Sequence, residues 1–146
     1  MKVRDIMNIN SVRILNDATM AEAAELAAIS NASGLFVVND ENDFIGVLSE
    51  GDMMAKALPD IAEIMASSGG IQDSQEIFSE KGANLGREQV KKYLVDSAIT
   101  IDPDDNVLKA ASTMAMKKMR RLPVVKNGKL VGTISRGDIC KAVMAK

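Results

Sequence analysis

The chain has 146 residues, enough for one domain or for two small units sharing a core, because a lone unit of about 50 to 60 residues buries too little surface to stand easily alone. Its 18 basic and 20 acidic side chains leave a formal charge of -2, which gives no reason to expect nucleic acid or an anionic membrane as partner. There is no histidine, so the commonest general base and transition-metal ligand is missing, and hydrolase and zinc chemistry are disfavoured.

In chain order, the leading MKVRDIM alternates apolar and charged residues without a long apolar run. Neither a secretory signal nor a spanning helix is visible, and a soluble, cytoplasmic protein is expected. Val3 to Met7 reads as a short amphipathic lead and Val12 to Leu15 as a strand. Thr19 stands three residues before Glu22, the spacing of a capping box, and opens an Ala-rich helix over Met20 to Ser30. Ser33 and Gly34 turn the chain into strands Leu35 to Val38 and Phe44 to Leu48, and a helix follows from Gly51 to Leu58. Pro59 stops that helix, and Ser67 to Gly70 is a clear break. Either side of it, Ile61, Ile64 and Met65, then Ile77 and Phe78, predict a helical insert whose apolar faces lie on the body or on a partner subunit. Asn127-Gly128 joins strands Leu122 to Val125 and Leu130 to Ser135 as a tight hairpin turn. The single Cys140, among apolar neighbours on the last helix, reads as a core residue.

A shift of 87 positions lays the second half on the first: Val90 falls on Val3, Ile101 on Ile14, Asn106 on Thr19, Ala110-Ala111 on Ala23-Ala24, and Leu122, Val124 and Val125 on Leu35, Val37 and Val38. After the hairpin the shift becomes 86, and Gly132, Ser135, Gly137 and Asp138 fall on Gly46, Ser49, Gly51 and Asp52. Two copies of strand, helix, strand, strand, helix follow, residues 1-58 and 90-146, with the insert over 59-89. A long period present only twice predicts a pseudo-symmetric pair of three-stranded sheets, each covering the other.

These residues resemble a tandem pair of cystathionine beta-synthase (CBS) domains, a Bateman module, through Arg-Leu-Pro-Val-Val followed by Gly-x-x-Ser-x-Gly-Asp and its upstream copy. The resemblance covers nearly the whole chain except the insert and implies an α/β (α+β) fold of two repeats packed sheet to sheet about a pseudo-twofold axis. It implies a stand-alone module, two clefts for adenosine-containing ligands, and further pairing into a homodimer. AMP, ADP, ATP or S-adenosylmethionine are the implied regulatory ligands, with no required cofactor or metal, and the partner is a protein target.

Carried over by that resemblance, the carboxylate of Asp138 accepts hydrogen bonds from ribose hydroxyls while Ser135 helps hold phosphate at a helix start. The plainer reading of the same pair is a helix cap. Lys117, Lys118, Arg120, Arg121 and Arg136 offer positive charge in the second copy, where the first has Glu50 in place of Arg136 and Ser33-Gly34 in place of Arg120-Arg121. A charged nucleotide is therefore expected at the cleft of Thr100, Arg121, Leu122, Pro123, Ser135, Arg136 and Asp138. Arg13, at the position matching Thr100, is a candidate to reach a phosphate from the other copy, and Ser49 and Asp52 are the matching pair of the first copy. With three Phe, one Tyr and no Trp, adenine is expected to rest on aliphatic side chains such as Ile99, Val124 and Ile139. The ten Met residues read as adaptable core or interface filling.

Two functions compete: a regulatory adenosyl-ligand sensor that changes packing and signals to a partner, and a ligand-free scaffold in which Ser135 to Asp138 only caps a helix. Catalysis is disfavoured. Asp102, Asp104 and Asp105 precede a helix and read as capping, and no nucleophile stands beside a plausible base.

Overall fold

In a computed structural model of the chain, residues 1–30, 34–66, 71–94 and 98–145 are described. Ser33 and the break at residues 67–70 lie outside them. The first repeat contains β1 (Arg13–Leu15), α1 (Met20–Ser30), β2 (Gly34–Val38), β3 (Phe44–Ser49) and α2 (Glu50–Ala57). The insert forms α3 (Ile61–Ala66) and α4 (Ile71–Gly86), and the second repeat contains α5 (Val107–Lys117), β4 (Arg121–Lys126), β5 (Lys129–Ser135) and α6 (Arg136–Met144).

Local chemistry accounts for the boundaries. The hydroxyl of Thr19 accepts from the Glu22 N–H at 3.1 Å, and Asn106 accepts from the Leu108 N–H at 2.8 Å, so each repeat's first helix starts on a side-chain cap. Asn127 and Gly128 take φ of 52° and 79°, the paired positive angles that a two-residue hairpin requires. Gly132 is needed for a different reason: a Cβ there would meet the Asn8 carbonyl and the Met7 sulfur at 3.0 Å. The absent side chain lets the N-terminal segment lie against β5, where Asn8 and Thr133 exchange backbone hydrogen bonds of 2.8 and 2.9 Å.

The first sheet has the order β1-β2-β3, with β1 parallel to β2. The second is β4-β5, and its expected third strand is reduced to one bridge, Ile101 to Val124. Two prolines explain the difference. In the first repeat the Asn16 N–H donates to Val38 at 2.9 Å, but Pro103 stands at the matching position and has no hydrogen to give. Pro123 likewise has none to offer toward the Ile99 carbonyl, two residues before Ile101, so the ladder is clipped on both sides of a single rung.

Each repeat has its own core. Ile14, Met20, Ala23, Ala27, Leu35, Val37 and Leu48 fill the first, and Ile101, Ala110, Met114, Leu122, Val124 and Ile134 the second. The last apolar residue of each core comes from the other side of the molecule. Val3, in a 3-10 turn over Val3–Asp5, is fully buried in the second core, and Val90, in the turn Val90–Tyr93, is fully buried in the first. Val3 donates its N–H to Asp105 at 2.9 Å and Val90 donates to Ala18 at 2.8 Å, and Ala18 and Asp105 are themselves equivalent under the repeat. The exchange is thus a pseudo-twofold one.

The sheets meet through Phe36, Val38 and Leu130, flanked by Phe44, Val47 and Val125. At one end the turns interlock, the Phe44 N–H donating to Gly128 at 2.8 Å and the Leu130 N–H to Asn42 at 3.1 Å. Lys129 reaches the Asp43 carboxylate at 2.6 Å, and Asn39 donates to the same carboxylate at 3.0 Å. These hydrogen bonds, Lys129 first, hold the Asp43 carboxyl below its ordinary value. A folded-state pKa below the unfolded one favours folding above the unfolded value and loses that contribution as pH falls through the folded one, here below about pH 4. In a Lys129→Met protein, NMR titration is expected to show the Asp43 carboxyl moved up toward its ordinary value. An unmoved titration would contradict the assignment.

Insert helix α4 packs on α1 and α2, with Leu85 joining the first core, and a Cβ added at Gly86 would stand 3.4 Å from the Ala21 Cβ. Ile61 and Met65 of α3 remain 76% and 80% exposed. Cys140, expected in the core, is exposed. Its helix turns the half-buried Ile139 and Ala142 inward, one turn apart, and that register points Cys140 outward.

Candidate functional site

Each repeat ends its hairpin directly on a helix start, and the strand register decides what stands beside that start. In the second repeat Arg121 pairs with Ser135 and Pro123 with Thr133, while the Ile101 N–H donates to Pro123 at 3.0 Å. Thr100, Arg121, Leu122, Pro123, Ser135 and Asp138 are therefore gathered at one end of the second sheet. Thr100 and Arg121 are exposed, Ser135 and Asp138 half-buried, Leu122 and Pro123 buried. Of the aliphatic candidates, Ile99 and Ile139 are half-buried against the second core, and Val124 is fully buried within it.

Ser135 and Asp138 form a complete capping box: the Ser135 hydroxyl accepts from the Asp138 N–H at 3.1 Å, and the Asp138 carboxylate accepts from the Ser135 N–H at 2.9 Å. In the first repeat Gly34 pairs with Ser49 and Arg13 with Phe36. Ser49 caps α2 by accepting from the Asp52 N–H at 3.0 Å.

Two candidate cations hold hydrogen bonds within the chain. Arg136 donates its Nε–H to the Met119 carbonyl at 2.8 Å and lines a groove of about 380 Å³ between α5 and α6 with Ala111, Met114, Ala115, Ile139 and Cys140. Arg13 donates to the Asn42 side chain at 2.5 Å and to the Leu130 carbonyl at 3.1 Å, so it ties the two repeats together at the interlocked turns.

A cleft of about 300 Å³ lies between the repeats. The first lines it with Gly34, Phe36, Val47 and Ser49, the second with Lys118, Met119, Arg120 and Arg121. The cations of the second repeat thus stand over the helix start of the first. Repeat alignment assigns a residue to its copy and is silent on which cleft it faces, so sequence reasoning had no signal for this crossing. A larger cavity of about 490 Å³ lies outside the sheet pair, between α1, α2 and α4, with Met20, Ala24, Met53, Met54 and Leu85 among its walls and Glu50 and Arg87 as its charged residues. Glu50 accordingly faces this outer cavity and not the cleft at Ser49. Among the described residues there is no cluster of three side chains fit to hold a metal ion, and no helix long and apolar enough to cross a membrane.

Duplicated hairpin-and-helix units, exchanged N-terminal turns and a cleft shared between the copies define a pseudo-symmetric α/β domain pair. The CBS-domain family model matches residues 3–59 and 90–145, and the chain belongs to the CBS-domain family. It is similar to the uncharacterized protein MJ1225 of Methanocaldococcus jannaschii, 30% identical over 139 residues, which are 95% of this chain and 41% of that one. Against MJ1426 of the same organism it is 26% identical over 155 residues, 99% of this chain and 92% of that one. The chain thus spans less than half of the first relative and most of the second. Among solved structures it is similar to that of CBSX2, a protein of Arabidopsis thaliana, in complex with AMP, with a TM-score of 0.74, 25% identity, and coverage of 99% of this chain and 96% of that one.

Proposed function

We propose that this CBS pair is a regulatory module of the cytoplasm, without catalysis of its own, in which an adenosine-containing ligand enters a cleft between the repeats. The ligand biases two packings of the repeats or of a homodimer, and a protein target reads the difference. The observation that carries this reading is the cleft of about 300 Å³ in which a capped helix start of one repeat faces the basic segment of the other, at the lower end of the size range of small-molecule pockets. The AMP complex of CBSX2, similar over nearly the full length of both chains, supports adenosine as the shared part of the ligand. AMP, ADP, ATP and S-adenosylmethionine all carry it. A ligand shifts such an equilibrium only by its differential affinity for the two packings, and a cleft built from both repeats changes shape whenever they move. Titration calorimetry against these four compounds tests the reading, and the absence of heat and of thermal shift for every one at millimolar concentration would sink it.

The complete capping box at Ser135 and Asp138 favours a second use of the same residues, a ligand-free scaffold in which they only start α6. Replacing Asp138 with alanine is expected to cost about 1 kcal/mol through the lost cap. In the scaffold reading nothing else changes. In the sensor reading the same variant also loses affinity for adenosine ligands by more than its small melting shift explains, which paired calorimetry and thermal melts resolve.

A further inference from the structure

We propose that the cavity between α1, α2 and α4 is a second binding site, one for a medium-chain aliphatic carboxylate whose headgroup meets Arg87 and whose chain runs between the three helices toward Met53. The site is separate from the cleft between the repeats and does not rest on the adenosine reading. Its volume of about 490 Å³ lies within the range of small-molecule pockets and exceeds that of the cleft. The walls are almost wholly apolar, with Met20, Ala24, Ala27, Met53 and Leu85 among them, and flexible thioether chains adapt to an unbranched alkyl group. A peptide or a sugar would bury polar groups there with few partners.

One wall residue is unexplained by packing. Gly82 stands inside α4, where glycine costs stability relative to alanine, yet a Cβ there would meet nothing within 4 Å. Gly86 differs, since it lets α4 approach Ala21 closely. What Gly82 does is leave the cavity wide at its third wall. The insert alone supplies that wall. In the second repeat Ile139 and Cys140 hold the places of Met53 and Met54, and the matching groove is lined by α5 and α6 only.

The two charged residues lie at opposite ends of the cavity and decide the headgroup. Gly86 approaches Ala21 and the Met20 N–H donates to Glu88 at 2.8 Å, so Arg87 stands beside the start of α1. Ser49 pairs with Gly34 just beyond α1, so Glu50 stands beside its end. From Met20 to Ala27 the helix rises about 10 Å, the length of an alkyl chain of about eight carbons. Glu50 sits in the first turn of α2, where its charge already complements the positive helix end. Arg87 has no such partner: its guanidinium meets the Asn84 side chain at 3.1 Å and no carboxylate among the described residues. Its remaining N–H groups are free to take a ligand carboxylate in a charge-assisted pair. The same charges fix the direction of entry, because a carboxylate turned the other way would face Glu50.

Titration calorimetry of the full chain with butanoate, hexanoate, octanoate, octylammonium and octanol, all below their micelle concentrations, tests the proposal. Affinity is expected to rise about fourfold per methylene from butanoate to octanoate, with octanoate bound about tenfold tighter than octylammonium. Arg87→Gln is expected to lose about tenfold for octanoate and to leave octanol unmoved. Gly82→Leu fills the cavity and is expected to abolish octanoate binding while raising the melting temperature, since leucine is the better helix former. Lys92→Gln, an exposed charge control, is expected to change neither. Octanoate should also shift the NMR methyl signals of Met53 and Met54 and leave those of Met114 and Met119, in the second core, in place. No octanoate binding at millimolar concentration, binding that survives Gly82→Leu, a loss matched by Lys92→Gln, or tighter binding of octylammonium overturns the proposal. Shifts confined to Met114 and Met119 put the ligand elsewhere and overturn it too. None of these outcomes bears on adenosine binding in the cleft, which its own titration decides.

Discussion

Replacing Leu130 with alanine is expected to lower stability by about 2–5 kcal/mol, the range for a leucine removed from a filled core. Leu130 is 1% exposed and packs with Phe36 and Val38 where the two sheets meet. That core is the smallest of the three, and its aromatic part, the Phe36 and Phe44 rings, sits edge to face with centroids 6.2 Å apart. Few side chains are available to collapse into the gap, which places the cost toward the upper end. The effect also reaches the cleft. Phe36 and Val47 line it and belong to the same cluster, so a looser contact between sheets blunts ligand binding even though Leu130 touches no ligand. Urea unfolding gives the stability change, and titration of the folded variant gives the second. A Leu130→Ala protein as stable as the parent would mean that the sheets do not depend on each other for cover.

Much of this arrangement was legible from residue identities. The capping pairs Thr19 with Glu22 and Ser135 with Asp138, and the Asn127-Gly128 turn, follow from local hydrogen bonding and backbone angles, which a short segment specifies by itself. The repeat alignment supplied the two-copy architecture. The clipped third strand of the second sheet was readable in principle from Pro103 and Pro123, since each deletes a backbone donor beside Ile101. Cys140 was misplaced for another reason: on a short surface helix a rotation of one residue separates inside from outside, and Ile139 already claimed the inward position. The mutual cover of the two sheets was expected from the repeat, but which individual side chains cross from one copy to the other, and onto what, stayed hidden. Arg13 tying the turns, Lys118 to Arg121 facing Ser49, and Val3 entering the far core all preserve the repeat pattern whichever copy they serve.

That last exchange carries the other large effect. Val3→Asp is expected to destabilise the protein by more than about 4 kcal/mol, because a carboxylate would replace an apolar side chain at a fully buried position without a partner. The damage is specific in place. Val3 packs in the cluster of Ile101, Ala110, Met114, Leu122, Val124 and Ile134, so the second repeat, about a hundred residues away in sequence, opens first. Val90→Asp mirrors it, since Val90 packs with Ile14, Leu35, Val37 and Leu48. Hydrogen exchange on the two variants separates these outcomes: Val3→Asp lowers protection first in β4 and β5, and Val90→Asp first in β2 and β3. Were Val3 merely local, its replacement would loosen β1 and α1 instead. Because each turn closes the opposite core, loss of either one weakens both walls of the clefts, and neither repeat is expected to hold a ligand without the lead of the other.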